Sequence, residues 1–252
     1  MTELKTSWFV PLNKTKDAIN SQVIFFPHAG ATAYSYNLFS RCLPPFVQLL
    51  GVELPGKGTR LKEPSIKCFD MLINQLIEEI IPILTKNSVF FGHSMGALLA
   101  FECARRLEVK NKLIIKGLIV SGQASPNNHH VSKYLTQNTS DENLIIELKQ
   151  LNGLSDEILT CPELLEILLA NVRKDCLLIA SYKYTFRQKL NCPLVCIVAD
   201  QDPVADIDKS SNWRKETSNT VYFVEIKGGH FAFLQNIPLI NTYFTSLLRL
   251  EN

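Results

Sequence analysis

The segment Gly92-His93-Ser94-Met95-Gly96 constrains the fold of this chain more than any other. It follows an apolar, β-rich run at residues 88–91 and precedes a helix-forming run at residues 97–101. A Gly-x-Ser-x-Gly pattern between a strand and a helix is typical of a sharp turn that lifts the serine above the end of a sheet. Glycines flank the serine because the backbone there is strained and closely packed, so that side chains would clash. The pattern therefore predicts a nucleophile elbow with Ser94 at its tip.

Short β-rich runs alternate with amphipathic helical patterns along the chain. Strands are predicted at residues 23–26, 46–54, 88–91, 118–121, 194–198 and 221–226. The clearest helix spans residues 69–84, where apolar residues recur at helical spacing, and another closes the chain at residues 240–248. This alternation predicts an α/β fold with a mainly parallel central sheet, helices on both faces and ligands at the carboxyl ends of the strands.

Residues from about 124 to 189 interrupt the alternation, because they contain helical patterns and no convincing strand. The segment is too apolar for a linker, so we predict a mobile helical lid inserted in a single domain of residues 1–252. Some apolar lid residues are expected to line the chamber above the serine, among them Leu164, Leu165, Ile167, Leu168 and Leu169. Ordinary crossover helices are the alternative interpretation.

A histidine must take the proton of the serine hydroxyl, and an acid must orient that histidine. On the elbow of an α/β-hydrolase the chain order is serine, then acid, then histidine. His230 follows a predicted strand and Gly228-Gly229, where flexible backbone can bring an imidazole to the active edge. His129 and His130 precede any acid at a strand end, so we expect them to be exposed loop residues. His230 is therefore the predicted base.

The acid should follow the preceding strand, and Asp200 and Asp202 both lie just after residues 194–198. Asp202 is preferred because it lies out in the loop, whereas Asp200 falls at the strand end itself. Asp200 remains the alternative. Asp206 and Asp208 resemble the start of the next helix, where carboxylates commonly cap the first turn.

An oxyanion hole requires two backbone N–H groups that point at the charge of the tetrahedral intermediate. The residue after the nucleophile, Met95, is predicted to supply one of them. The loop after the strand at residues 23–26 contains Ala29, the second predicted donor, followed by Gly30, which permits a tight backbone approach. His28 lies in the same loop, where a loop-shaping role is favoured over that of a base.

Charge and composition narrow the possible partners and cofactors. The net charge is +2 and aromatic residues do not interleave with the basic clusters, so no nucleic-acid partner is predicted. Residues 1–20 hold no continuous apolar stretch, which predicts neither a signal peptide nor a membrane span, and a cytoplasmic location is expected. The 7 cysteines are scattered without a Cys-x-x-Cys pair and the 5 histidines lack ligand spacing, so reduced thiols and no metal site are predicted.

Linked motifs cover nearly the whole chain: Pro27-His28-Ala29-Gly30, residues 53–60 (Glu-Leu-Pro-Gly-Lys-Gly-Thr-Arg), residues 92–97, Pro162 through Asp175, Asp202-Pro203 and Gly228-Gly229-His230-Phe231. Together they resemble the type II, or external, thioesterases of nonribosomal peptide and polyketide synthesis, in the α/β-hydrolase superfamily. The serine, aspartate and histidine of that family correspond to Ser94, Asp202 and His230. Departures are modest: Lys57 stands where arginine is common, and Ala31 where a second glycine is.

The resemblance implies an enzyme that hydrolyses acyl or aminoacyl groups from the phosphopantetheine arm of carrier proteins, clearing stalled or misprimed synthases. It implies carrier-domain partners, no metal or redox cofactor and broad specificity for short acyl groups, and we expect a monomer. Five basic residues have two interpretations, a rim that binds an acidic carrier or a solvated helix face. They are Arg173, Lys174, Lys183, Arg187 and Lys189. A small-molecule carboxylesterase or lipase would use the same catalytic residues, and a non-catalytic binding protein is the third function on this fold.

Overall fold

The computed structural model describes residues 6–15, 19–129, 139–185 and 188–250. Its strands are β1 (Phe9–Pro11), β2 (Ser21–Phe26), β3 (Val47–Val52), β4 (Asn87–His93), β5 (Gly117–Ser121), β6 (Leu194–Ala199) and β7 (Val221–Ile226). They form one sheet of 7 strands in the order β1-β3-β2-β4-β5-β6-β7. Every pairing is parallel except that of β1 with β3. The predicted mainly parallel sheet is confirmed.

Helices connect these strands and cover the sheet. The α-helices are α1 (Phe69–Ile80), α2 (Met95–Asn111), α3 (Asp141–Gln150), α4 (Asp156–Thr160), α5 (Pro162–Ala180), α6 (Ile207–Ser210) and α7 (Ile237–Leu248). The 3₁₀ helices of the described residues lie at Ala33–Arg41, Gly58–Arg60, Ile81–Ile83, Pro126–Asn128, Ser211–Lys215 and Ala232–Gln235. The predicted helix at residues 69–84 is α-helical only to Ile80, because Pro82 has no N–H to continue the i→i−4 ladder.

Burial follows from the parallel topology. Every residue of β2, β5 and β6 is buried, since helices cover both faces of a parallel sheet. One apolar core packs the sheet against α1 and α2, and a second packs the other face against Ala33–Arg41 and α7. This arrangement puts the carboxyl ends of β2, β4, β5, β6 and β7 at one edge, where the loops that follow them meet.

The bounds of β2, β3, β4, β5 and β6 differ from the predicted ones by one or two residues at an end, those of β7 agree, and β1 is an additional strand. β3 begins at Val47 and ends at Val52, which is shorter at both ends than the predicted 46–54. β1 was not predicted. It is only 3 residues long, ends at Pro11 and depends on its pairing with β3 at the edge of the sheet, so its own sequence carries almost no period-2 signal.

The interval between β5 and β6 contains helices α3, α4 and α5 and no named strand in its described residues. Ser140 caps α3 by accepting a hydrogen bond from the Asn143 N–H at 3.3 Å, and Pro162 begins α5, as expected for a proline at a helix start. A separate apolar cluster joins α3 to α5 through Leu144, Leu148, Leu169, Val172 and Cys176. Residues 130–138 and 186–187 of the predicted lid lie outside the described residues.

All 7 cysteines are free thiols, as predicted. Cys192 and Cys196 share the apolar core on the α1 and α2 side, and burial raises the pKa of each thiol to about 12. Within the described ranges, no cluster of His, Cys, Asp and Glu has the arrangement of a metal site. No helix among those same residues combines the length and apolarity needed to cross a bilayer.

Candidate active site

Ser94 lies at the junction of β4 and α2, with backbone angles of φ 53° and ψ −124°. A non-glycine residue at positive φ is strained, and its position is held by a hydrogen bond from the Ser94 N–H to the Ser121 carbonyl at 2.8 Å. A Cβ at Gly92 would overlap the Gly96 carbonyl, and a Cβ at Gly96 would overlap the Phe26 carbonyl. The elbow predicted from the glycine spacing is confirmed, and both glycines are required by close backbone packing.

His230 and Asp202 meet at the same edge of the sheet. The Nδ1 atom of His230 lies 2.8 Å from Oδ2 of Asp202, and both residues are buried. The other carboxylate oxygen of Asp202 accepts the Val204 N–H at 2.8 Å. Because a carboxylate only accepts, His230 donates from Nδ1 and its Nε2 is left as the acceptor. This is the tautomer that a general base beside a serine needs.

Asp200 has different partners. Its side chain accepts hydrogen bonds from Lys227 Nζ at 2.9 Å and from the Gly228 N–H at 2.8 Å. These two bonds hold the pKa of the Asp200 carboxyl below its usual value, the lysine contributing most. Asp200 therefore stabilises the loop that carries His230, while Asp202 contacts the imidazole.

A cavity that is partly open to solvent contains Ser94 and His230 in its lining. Both predicted oxyanion donors, Ala29 and Met95, line it as well. Met95 is the first residue of α2, so its N–H has no acceptor within the helix and can donate to a ligand. The sheet edge thus brings the predicted nucleophile, base and oxyanion donors to one chamber.

Helices α3 and α5, together with the residue that follows α3, supply most of the apolar lining of this chamber, through Leu148, Leu151, Val172, Cys176 and Ile179. The residues named from sequence are wrong: Leu164 and Ile167 are exposed, and Leu165, Leu168 and Leu169 pack in the cluster between α3 and α5. The cause is the register of α5. Its first two turns lie away from the chamber, and the turns from Val172 onward face it.

His28 is a neutral side chain that shapes its loop. The Tyr36 hydroxyl donates its single proton to the Phe26 carbonyl at 2.9 Å, so the hydroxyl oxygen accepts from His28 Nδ1 at 3.2 Å. Burial, followed by the nearby His230 and Lys57, lowers the pKa of His28 to about 3. These contacts support the predicted loop-shaping role.

His93 lies beneath the catalytic histidine, with its ring centroid 4.6 Å from that of His230. It is fully buried, and its Nδ1 lies 3.2 Å from Ser121 Oγ. Burial, followed by the nearby His230 and His28, holds the pKa of His93 well below its usual value. Because His28 and His93 both stay neutral at neutral pH, neither adds positive charge beside the His230 imidazolium that forms during turnover.

His129 is not the exposed loop residue that the sequence suggested. It is half-buried, lines the chamber, and its Nδ1 lies 3.2 Å from Gln123 Nε2. Trp213 holds Gln123 by donating from Nε1 to its carbonyl at 2.9 Å. The position of His129 in the chain could have indicated this placement, because the residues that follow β5 adjoin the elbow after β4. His130 lies outside the described residues.

A buried ion pair between Lys57 and Asp175 lies behind the oxyanion loop and was not predicted. Asp175 Oδ2 also accepts the Gly30 N–H at 2.7 Å, and Lys57 Nζ donates to the Ala31 carbonyl at 3.4 Å. Burial raises the pKa of Asp175, and the lysine ammonium opposes that rise. The two residues lie far apart in the chain, so no local pattern could have paired them.

Comparison with known proteins identifies one family. Residues 21–246 match the model of the thioesterase domain. The chain is 31% identical over 227 residues to a Streptomyces griseus protein named a probable cadicidin biosynthesis thioesterase, covering 90% of this chain and 62% of that protein. It is 32% identical over 211 residues to the thioesterase PikA5 of Streptomyces venezuelae, covering 83% of this chain and 74% of the relative.

A solved structure agrees over nearly the full length. The type II thioesterase BorB of the borrelidin biosynthetic cluster superposes with a TM-score of 0.88 at 30% identity, covering 96% of this chain and 98% of that one. The chain thus has the α/β-hydrolase fold that its elbow predicted.

Proposed function

The chain belongs to the thioesterase domain family, and on that premise we propose that it hydrolyses acyl or aminoacyl groups from the phosphopantetheine arm of carrier proteins. Its proposed role is editing for a nonribosomal peptide or polyketide synthase, and this is supported by the likeness to a thioesterase named for cadicidin biosynthesis and to a type II thioesterase of the borrelidin biosynthetic cluster. The observation that carries the proposal is that Ser94 and His230 line one largely apolar chamber and that His230 is hydrogen-bonded to Asp202.

In the first half-reaction, Ser94 Oγ forms a bond to the thioester carbonyl carbon while His230 Nε2 takes the hydroxyl proton. The Met95 and Ala29 N–H groups hold the oxyanion. The carbon–sulfur bond then breaks, and the proton on His230 passes to the departing thiol. Asp202 fixes the tautomer of His230 and stabilises its charged form.

In the second half-reaction, His230 takes a proton from water as the water oxygen bonds to the acyl carbon. The ester bond to Ser94 breaks, the serine recovers its proton and the free acid leaves. A thiol with a pKa of about 8.5 is a better leaving group than an alcohol, so acylation by a thioester demands less of the acid. Side chains and backbone supply every group that this scheme uses, so we propose no metal or redox cofactor beyond the pantetheine carried by the substrate.

The partner in this proposal is an acyl or peptidyl carrier domain. Two residues of the predicted basic rim are engaged within the chain and not held free for a carrier: Arg173 pairs with Asp141, and Lys174 donates to the Gly56 carbonyl at 3.2 Å. Arg187 lies outside the described residues. One chain supplies the nucleophile, base, acid and both oxyanion donors, so we propose that the enzyme acts as a monomer.

The decisive experiment compares kcat/KM for acyl groups carried on purified carrier proteins with kcat/KM for the same acyl groups in simple alcohol esters. A clear preference for the carrier-bound thioesters supports the proposal. Equal or higher rates on the simple esters would instead identify a small-molecule carboxylesterase. No turnover of either substrate would identify a non-catalytic binding protein.

A further inference from the structure

Asp175 and Lys57 form an ion pair in the interior, between α5 and the loop that follows β3. Their side chains are only 4% and 2% exposed, respectively. Burying two charges costs free energy that their attraction seldom exceeds, so a buried ion pair is weak evidence of a contribution to stability. An apolar pair could fill the same space. The charges therefore call for another explanation, and the atoms they contact suggest one.

The contacts lead directly to the oxyanion loop. Asp175 accepts the Gly30 N–H at 2.7 Å, and Gly30 follows Ala29, the proposed oxyanion donor. Lys57 donates to the carbonyl of Ala31 on the other side of Gly30 at 3.4 Å. The ion pair thus binds the backbone of the two residues that follow the donor, at the N–H of Gly30 and at the carbonyl of Ala31.

Helix α5 also touches this loop through apolar atoms. Gly30 has φ +81°, and a Cβ built there would lie 2.8 Å from Val172 and 2.9 Å from Leu168. A side chain at Gly30 would therefore displace the Val172 and Leu168 side chains of α5 from the loop. The same helix places Val172, Cys176 and Ile179 in the chamber wall. One helix thus contacts both the acyl chamber and the backbone of the oxyanion loop.

We propose that Asp175 and Lys57 are positioning residues that hold the Ala29 N–H toward the carbonyl bound at Ser94, so that docking of α5 on the loop completes the oxyanion hole. This inference rests on the proposed function for the assignment of Ala29. A charged acceptor suits the task because a hydrogen bond to an ionised carboxylate is shorter and stronger than one to a neutral amide. Burial raises the pKa of that carboxyl, and the Lys57 ammonium opposes the rise by favouring the ionised form.

The proposal is tested by Asp175→Asn, Lys57→Met and Lys57→Arg. Removing an oxyanion donor outright lowers kcat by about 10²–10³, so its mispositioning by Asp175→Asn or Lys57→Met should lower kcat by roughly 10- to 100-fold. The KM for a small pantetheine thioester should change by less than about threefold, since the transition state is affected more than substrate binding. Lys57→Arg keeps the charge and should retain most of the activity.

Glu102→Gln is the matched control. Glu102 is a buried carboxylate, paired with Arg105 on α2 and without a contact to the oxyanion loop in the described structure. The Glu102→Gln variant should lose thermal stability, as Asp175→Asn does, while its kcat stays near that of the wild type. An equal fall in kcat for Glu102→Gln, or an unchanged kcat in soluble Asp175→Asn, would overturn the proposal. If Asp175→Asn does not fold, Lys57→Met and Lys57→Arg decide in the same way.

A second measurement separates this proposal from the proposed function. A fluorophosphonate reacts with an activated serine when Ser94 Oγ bonds to phosphorus and fluoride leaves, and the phosphoryl oxygen then occupies the oxyanion hole. Labelling should slow in Asp175→Asn and Lys57→Met but not in Lys57→Arg or Glu102→Gln. Equal labelling rates in all four would overturn the positioning role. If the fluorophosphonate labels the wild type but the wild type does not hydrolyse carrier thioesters, the proposed function is refuted. The labelling rates of the four variants still decide the positioning role in that case.

Discussion

His230 Nδ1 and Asp202 Oδ2 lie 2.8 Å apart in a buried contact that joins the loops after β7 and β6. These strands are parallel neighbours, so their carboxyl ends meet at one edge and bring together two side chains that are 28 positions apart in the chain. The adjoining Asp200 is bound instead to Lys227 and the Gly228 N–H. This difference between two nearby acids leads to the first prediction.

Asp202→Asn should lower kcat by about 10⁴, because the amide donates to Nδ1 and favours the wrong imidazole tautomer. Asp200→Asn should lower kcat by less than about tenfold, since Asp200 acts only on the loop. Steady-state kinetics on one thioester substrate provide the measurement. A crippled Asp200→Asn beside an active Asp202→Asn would show that the acid is misassigned.

The buried histidines predict acid destabilisation. His93 has a lowered pKa in the folded protein and an ordinary value near 6.5 when unfolded, so the unfolded chain binds the extra proton below about pH 6.5. The free energy of unfolding should therefore be highest above pH 6.5 and fall as the pH is lowered from there. His28 adds to the same trend down to its folded value of about 3.

His93→Phe isolates this effect. The variant keeps an aromatic ring against Phe233 but cannot titrate. Chemical denaturation between about pH 6.5 and 5 should give a shallower dependence of stability on pH, by up to about 1.4 kcal/mol per pH unit. The slope is the readout because lost packing shifts stability equally at every pH. Identical slopes in the two proteins would contradict the neutral buried imidazole.

The chamber wall predicts how acyl length is limited. Ile179→Phe adds volume to a half-buried position of the lining, so it should lower kcat/KM for longer acyl groups while acetyl and propionyl thioesters react at nearly wild-type rates. Selection in apolar pockets is worth about 1–3 kcal/mol per methylene, which sets the expected size. Ile146→Phe, at an exposed position of α3, is the matched control. A uniform loss on all chain lengths would place the acyl group elsewhere.

Lid mobility remains a prediction, and the structure sharpens it. The end of α5 is tied to the body by Asp175 and by Ser181 Oγ, which accepts the Phe69 N–H at 2.8 Å. Hydrogen exchange should therefore be slow from Val172 to Ala180 and faster in α4, a helix of 5 residues without a buried side chain. Exchange in α4 as slow as in β4 would contradict a mobile lid.

Features encoded by local sequence could be predicted. The elbow, the inner strands and the order of Ser94, Asp202 and His230 depend on turn glycines, β-rich runs and a parallel topology, all of which leave short-range patterns. Even the preference for Asp202 over Asp200 rested on position in a loop, and it agrees with the observed contact to His230.

What sequence could not provide depends on tertiary contacts. The Lys57–Asp175 pair joins residues 118 positions apart, and neither neighbourhood indicates the other. The chamber residues of α5 were misassigned because its first turns are apolar on several sides, so periodicity alone did not fix which turns face Ser94. His129 was missed because its partner, Gln123, is itself held by the distant Trp213.

Thioester hydrolysis on a carrier is tested by the intact mass of an acetylated carrier protein after incubation with wild-type enzyme and with Ser94→Ala. We expect the wild type to convert the carrier to its free-thiol form, with the acetyl group released as acetate, and Ser94→Ala to leave the acetylated mass unchanged. An acetylated carrier left intact by the wild type, or cleared by Ser94→Ala at the wild-type rate, would refute carrier hydrolysis by Ser94.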